Sequence, residues 1–180
     1  MKLANNRTIA IASGKGGVGK TIITANLALS LAQRYESEGS IVAVDLDLGC
    51  GNLNACLGVR SPNGTIDGFL TQKVQNLQQL LTSTDHSNLR MICSSYSGSP
   101  NSRLNEERKK SLLQQLNGLE ANFTLIDLGA GTSEDLLDIF LGAGEKIIVV
   151  TPESLSLHNA CSASTIIPVN DNYNSRFFPG

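Results

Sequence analysis

No apolar run in this 180-residue chain approaches the roughly 18 residues needed to cross a bilayer, so no transmembrane helix is expected. The opening stretch from Met1 to Arg7 is polar and lacks the long apolar centre of a secretory signal, which points to a cytoplasmic chain. Neither charge sign dominates. Sixteen acidic residues against fourteen basic ones leave a net charge of -2, which argues against a surface that traps nucleic acid. The four cysteines, Cys50, Cys56, Cys93 and Cys161, contain no C-x-x-C pair, and His86 and His158 form no H-E-x-x-H pattern. Reduced thiols without a metal or disulfide role are therefore expected. Internal repeats and low-complexity segments are absent too. What remains has 41% hydrophobic and 17% charged residues, an ordinary globular composition, in a length that suits one domain and not two.

Short apolar runs alternate with helix-period segments. Residues 8–12, 41–44, 123–126 and 146–150 read as buried strands, and 89–93 as a weaker one. Helical spacing recurs over residues 20–35, through Ile23, Leu27, Ala28, Leu31 and Ala32, and over residues 104–119, through Leu112, Leu113, Leu116 and Leu119. On the second of these helices Glu106 and Lys110 form a favourable i,i+4 pair. One or two short helices are expected between Ile66 and Leu81. Thr132 with Asp135 reads as a capping box opening a helix through Leu136, Leu137, Phe140 and Leu141. A further helix is expected from Ser154, and residues 94–100 form a loop by composition. The alternation implies an α/β fold with a mostly parallel sheet and helices on both faces. Residues 1–165 make the domain, and residues 166–180, without sustained period, make an irregular tail.

Chemistry concentrates after the first strand. Gly14-Lys15-Gly16-Gly17-Val18-Gly19-Lys20-Thr21 has the G-x-x-x-x-G-K-T spacing in strand–loop–helix context. Glycines let successive backbone N–H groups converge on phosphate oxygens, and the following helix turns its positive end toward them. Lys20 would bridge the β- and γ-phosphates, and the Thr21 hydroxyl would ligate magnesium. Asp45 and Asp47 follow the second strand at the carboxyl edge, where i and i+2 side chains point the same way. Asp127 ends the strand at 123–126 in the manner of a Walker B carboxylate.

The loop from Gly14 to Thr21, with lysine at its second position, resembles the deviant Walker A motif of the MinD/ParA family of P-loop ATPases. That resemblance implies an ATP-dependent homodimer in which Lys15 reaches phosphates bound by the partner subunit. Residues 44–53 look like the family's first switch: by resemblance Asp45 would hold magnesium through water and Asp47 would position or activate the attacking water. Asn52 matches a family asparagine near the active site. Asp127-Leu128-Gly129-Ala130-Gly131-Thr132 resembles the second switch in the wording typical of the flagellar-number regulators called FlhG. The implied catalytic residues are Lys15, Lys20 and Asp47. The nucleotide is held by residues 14–22 with Asn52, and magnesium by Thr21, Asp45 and Asp127. Ile22 departs from the small hydroxyl residue usual after Thr21, so one α-phosphate contact is expected to be lost. The resemblance runs over residues 7–161, and the family's later strands and adenine-contacting residues are not recognisable beyond Ser162. The family domain is therefore expected to be incomplete at the C-terminus.

The implied activity is hydrolysis of ATP in a positional switch read by a regulatory protein partner, with peripheral membrane association in the full-length family. Two other readings share the loop: a metal-cluster carrier or reductase, and a phosphate-binding fragment without turnover. A bacterial tyrosine kinase is a weaker third, since only Tyr173 lies near the C-terminus.

Overall fold

The computed structural model of the chain describes residues 6–36, 39–48, 51–94, 106–131 and 133–152. Along β1 (Arg7–Ser13), Ile9 and Ile11 face one way while Ala10 and Ala12 face the other, so both faces of the strand need cover. The same holds for β2 (Ile41–Leu46), in which every residue is buried, and for β5 (Phe123–Ala130). With β3 (Thr82–Ser83), β4 (Leu89–Ile92) and β6 (Glu145–Ile148) they form one six-stranded sheet in the order β3-β4-β2-β5-β1-β6. All pairings are parallel except that of the two-residue edge strand β3 with β4.

Helices cover both faces, as expected. On one side α1 (Lys20–Arg34) lays Ala25, Ala28 and Ala32 against Ile9, Ile11, Ile41 and Ala43, and its small side chains let the helix sit close to the sheet. The short α2 (Leu53–Cys56) adds Leu53 to the same cluster. On the other side lie α3 (Ile66–Leu70), a 3₁₀ turn at Leu77–Leu80, α4 (Glu106–Asn117) and α5 (Glu134–Gly142). Phe69, Leu112, Leu116, Ile139 and Phe140 from these elements pack on Ala10, Val42, Val44 and Ile126.

Three local expectations are corrected. Glu106 pairs with Lys109 at i,i+3, and not with Lys110, because Lys109 lies on the inner side of α4 where two carboxylates of α5 also converge. Helix α5 begins at Glu134 with Ser133 as its N-cap and no side-chain cap hydrogen bond. Asp135 is drawn to the buried ammonium of Lys109 instead of back onto the helix end; Thr132 lies outside the described residues. The last strand is shorter than its apolar run: β6 stops at Ile148, although Val149 N–H still donates to the Ala12 carbonyl at 2.8 Å. Most of the loop 94–100, the helix expected from Ser154 and the tail 166–180 fall outside the described residues.

Strand order positions the site. β5 lies between β2 and β1, and the carboxyl ends of all three come to one edge. Asp45 and Asp127 are direct neighbours across the β2–β5 pairing, as are Ile11 and Asp127 across β1–β5.

Candidate functional site

Between β1 and α1 the chain turns through residues 14–19. Gly17 and Gly19 have φ of 77° and 92°, a left-handed backbone that side-chain-bearing residues adopt only with strain. Gly19 is also the N-cap of the 15-residue α1, whose first turn carries no acidic side chain to compete for its amides. An anion at this end would meet open N–H groups and the positive end of the helix dipole. Ser13 Oγ donates to the Lys15 carbonyl at 2.9 Å and fixes the start of the loop. Thr21 is half-buried, while Ile22 points outward at 57% exposure with its carbonyl accepting from Asn26 Nδ2 at 2.8 Å.

Lys20 is buried, and its Nζ stands 2.9 Å from Asp127 Oδ1. Thr24, one turn further along α1 and fully buried, places its hydroxyl 3.0 Å from the Lys20 carbonyl and 3.3 Å from the same Asp127 oxygen. The other oxygen, Asp127 Oδ2, is buried with no hydrogen-bond partner among the described residues. A buried carboxylate oxygen without a partner is costly and calls for a missing donor or cation.

Beside it, Asp45 is fully buried. Asp45 Oδ1 accepts the Asp47 N–H at 3.0 Å and Oδ2 accepts the Leu53 N–H at 3.2 Å, which ties the end of β2 to the start of α2. Burial pushes the Asp45 carboxyl up to about 6, with the neighbouring charge of Asp127 adding to the rise and the two backbone N–H groups opposing it. Gly51 is required here, since a methyl group on it would stand 2.6 Å from Asp45 Oδ2 and closer still to Ser94 Oγ. The thiol of Cys93, also buried, is raised to about 11 by burial and by Asp45, and so stays protonated at neutral pH.

The raised carboxyl makes folding pH-dependent. A folded-state value near 6 exceeds the ordinary 3.8, so the stabilisation from protonated Asp45 is complete below about pH 4 and is lost as pH rises through 6. In chelator-treated protein, wild type should lose about 2 kcal/mol relative to Asp45→Asn between pH 4 and pH 7.5. Urea unfolding of both proteins across that range measures it. A gap that stays constant would mean that the carboxyl titrates as it does in water.

Asp47 leaves the sheet at the end of β2, half-buried, with Gly129 of β5 opposite: a Cβ on Gly129 would lie 3.7 Å from Asp47 Oδ1. Gly131, at φ 114°, donates its N–H to the Ser13 carbonyl at 3.1 Å, so the turn after β5 is tied to the phosphate loop. Asp47, Leu46, Gly129, Ala130, Asp135 and Leu136 border a cleft of about 270 Å³. Lys15 is half-buried in the loop, and Asn52 is exposed at the start of α2.

The fold therefore brings together Lys20, Asp45, Asp127 and the loop amides, with Asp47 on the flank of the same edge. Thr24 and Gly51 were not singled out from the sequence. Thr24 carries a local signal, a hydroxyl one turn after Lys20 on the buried side of α1; Gly51 carries none, because its neighbour Ser94 is distant in the chain.

Among the described residues no group of three or more His, Cys, Asp or Glu side chains is arranged to cage a metal ion. Magnesium at a nucleotide keeps water and phosphate ligands and needs only one or two carboxylates from the protein. Asp45 with the unpartnered oxygen of Asp127, neighbours on adjacent strands, fits that requirement.

Residues 4–169 match the ParA family, described as NUBPL iron-transfer P-loop NTPase. The chain is 38% identical over 169 residues to the septum site-determining protein MinD of Helicobacter pylori, covering 91% of this chain and 60% of that protein. In fold it is similar to the septum site-determining protein MinD of Pyrococcus horikoshii complexed with Mg-ADP, with a TM-score of 0.77, 29% identity and coverage of 89% and 64%. It is also similar to MinD in the MinC:MinD cell division protein complex of Aquifex aeolicus, with a TM-score of 0.72, 26% identity and coverage of 88% and 62%. The chain thus spans less than two thirds of the length of each.

Proposed function

This chain belongs to the MinD/ParA family of P-loop NTPases, and from that membership we propose that it binds Mg-ATP and hydrolyses it as a molecular switch. One observation carries the reading: Lys20, the residue after a left-handed glycine loop, pairs with Asp127, and the second Asp127 oxygen is buried with no partner among the described residues. An ammonium and a carboxylate that neutralise each other here are those a nucleotide and its metal would separate. Lys20 would turn to the β- and γ-phosphates, and amides of residues 14–22 would wrap them. Asn52 would border the same nucleotide. Thr21, Asp45 and Asp127 would hold magnesium, which when bound neutralises charge on the phosphate oxygens.

Water would attack the γ-phosphate in line, oriented by Asp47, with Lys20 and the partner subunit's copy of Lys15 offsetting the developing charge. Two subunits would join on ATP and part after hydrolysis, and a regulatory protein would read the joined state. The Mg-ADP complex and the MinC:MinD complex of the similar proteins support the cofactor and the existence of such a partner. Among the described residues no helix is long and apolar enough to cross a membrane. The site of action we propose is the cytoplasm, with peripheral contact to the membrane.

Two finer placements divide the support. The wording of residues 127–132 favours number control of a structure such as the flagellum, and the names of the similar proteins favour placement of the division septum. The family description raises iron transfer as a second reading. The absence of a C-x-x-C pair in this sequence weighs against it, as does the buried, protonated thiol of Cys93.

Titration calorimetry with a non-hydrolysable ATP analogue tests the proposal. Binding heat should be present with magnesium and sharply reduced with chelator. A verified fold that gives no heat with magnesium present would overturn the nucleotide reading. An iron–sulfur absorption band in anaerobically purified protein would favour the alternative.

A further inference from the structure

Away from the phosphate loop, Lys109 of α4 is 5% exposed and surrounded by carboxylates. Its Nζ lies 2.8 Å from Glu106 Oε1 on its own helix and 3.2 Å from Asp135 Oδ1 on α5, and it donates to Asp138 Oδ2 one turn further along α5. Hydrogen bonds to Asp138 and Glu106 raise the Lys109 ammonium above its ordinary range, against the effect of burial, so it remains charged at any physiological pH. One cation thus holds three anions that would otherwise repel each other, two of them in the opening turns of α5. At its far end α5 is close-packed on the same helix: a Cβ on Gly142 would meet Leu113 Cδ2 at 2.8 Å.

What α5 follows gives this clamp its consequence. The end of β5 and the turn that follows it touch the candidate site at three places. Gly129 stands opposite Asp47, Ala130 Cβ lies 3.8 Å from where a Cβ on Gly16 would be, and Gly131 N–H bonds the Ser13 carbonyl. The turn has two anchors. One is the ladder of β5, paired on both sides with β1 and β2. The other is the start of α5, where Asp135 touches Lys109 and also borders the cleft beside Asp47.

We propose that Lys109 is a positioning residue: by clamping α5 to α4 it holds the turn at Gly129–Gly131 against Asp47 and the phosphate loop, and so sets turnover without setting nucleotide affinity. The part concerning turnover rests on the ATPase reading above; the part concerning the turn does not. Without the ammonium, Asp135 and Asp138 lie three apart on one helix with Glu106 opposite, and like charges at that spacing drive the start of α5 away from α4.

Hydrogen exchange on the full chain, read by mass spectrometry, tests it in wild type, Lys109→Met and Lys109→Arg. In Lys109→Met the amides of Gly129, Ala130, Gly131 and the first turn of α5 should exchange about tenfold faster, with those of β1 and β2 unchanged. Lys109→Arg should restore most of the protection. If Lys109→Met does not fold, Asp138→Asn, which loosens the same clamp from an exposed position, should accelerate the same amides about threefold. Unchanged exchange in the turn, or acceleration spread equally through β1 and β2, overturns the proposal. In the same preparations phosphate release should fall about tenfold in Lys109→Met, while the calorimetric Kd for the ATP analogue stays within about twofold of wild type. A Kd that moves in step with turnover also overturns it. Absence of analogue heat in wild type would instead sink the ATPase reading, and the exchange result would still decide the clamp.

Discussion

Lys20→Ala should weaken binding of the Mg-ATP analogue by about a hundredfold or more, and should also destabilise the nucleotide-free chain by about 3 kcal/mol. Both effects come from one ammonium with two successive partners. In the structure it lies 2.9 Å from Asp127 Oδ1, and both side chains are almost fully shielded from water. Removing it leaves Asp127 buried with, among the described residues, only the Thr24 hydroxyl, at 3.3 Å, on that oxygen and no partner on the other. An uncompensated buried charge of this kind accounts for most of the cost of breaking such pairs. The two consequences separate in a double variant. Lys20→Ala with Asp127→Asn removes the stranded charge, so its urea midpoint should return most of the way to wild type while analogue binding stays lost. If Lys20→Ala unfolded at the wild-type midpoint, the ion pair would have no part in stability. If it bound the analogue normally, the phosphate-loop reading itself would fall.

Asp47→Asn should separate binding from chemistry in the opposite manner. Phosphate release should drop by about a hundredfold or more, because the carboxylate proposed to orient the attacking water is replaced by an amide that cannot take its proton. Analogue affinity should change by no more than about threefold. The structural reason is the division of labour within the residue. The backbone N–H of Asp47, and not its side chain, bonds Asp45 Oδ1 and shapes the bend after β2. The side chain itself is half-buried opposite Gly129, where an amide of the same size fits. Single-turnover phosphate release beside calorimetry makes the comparison. Equal losses in turnover and affinity would assign Asp47 to nucleotide holding, and unchanged turnover would remove it from the chemistry.

How much of this was readable in advance depends on how far apart the interacting residues lie. The phosphate loop was readable because a glycine pattern, a lysine and a helix start within eight residues are fixed by local backbone requirements, and Gly17 and Gly19 take the left-handed backbone that pattern implies. Strands 8–12, 41–44 and 123–126 were readable because a strand buried on both faces needs a near-continuous apolar run. Helix detail was less readable. Glu106 with Lys110 satisfied a one-dimensional rule, yet the pair that forms is Glu106 with Lys109, since the partners that decide it, Asp135 and Asp138, come from another helix.

By itself, then, the sequence determined the alternating α/β elements and the phosphate-binding turn, whose causes act over a few residues of chain. Only the tertiary structure decided that Asp127 comes to rest beside Asp45 and under Lys20, 107 residues away in the chain, and that Lys109 closes three carboxylates between two helices. Which amine meets which carboxylate follows from strand order, here β5 inserted between β2 and β1. Strand order is selected by the simultaneous burial of both faces of the sheet, a property of the whole chain that no short window of residues carries.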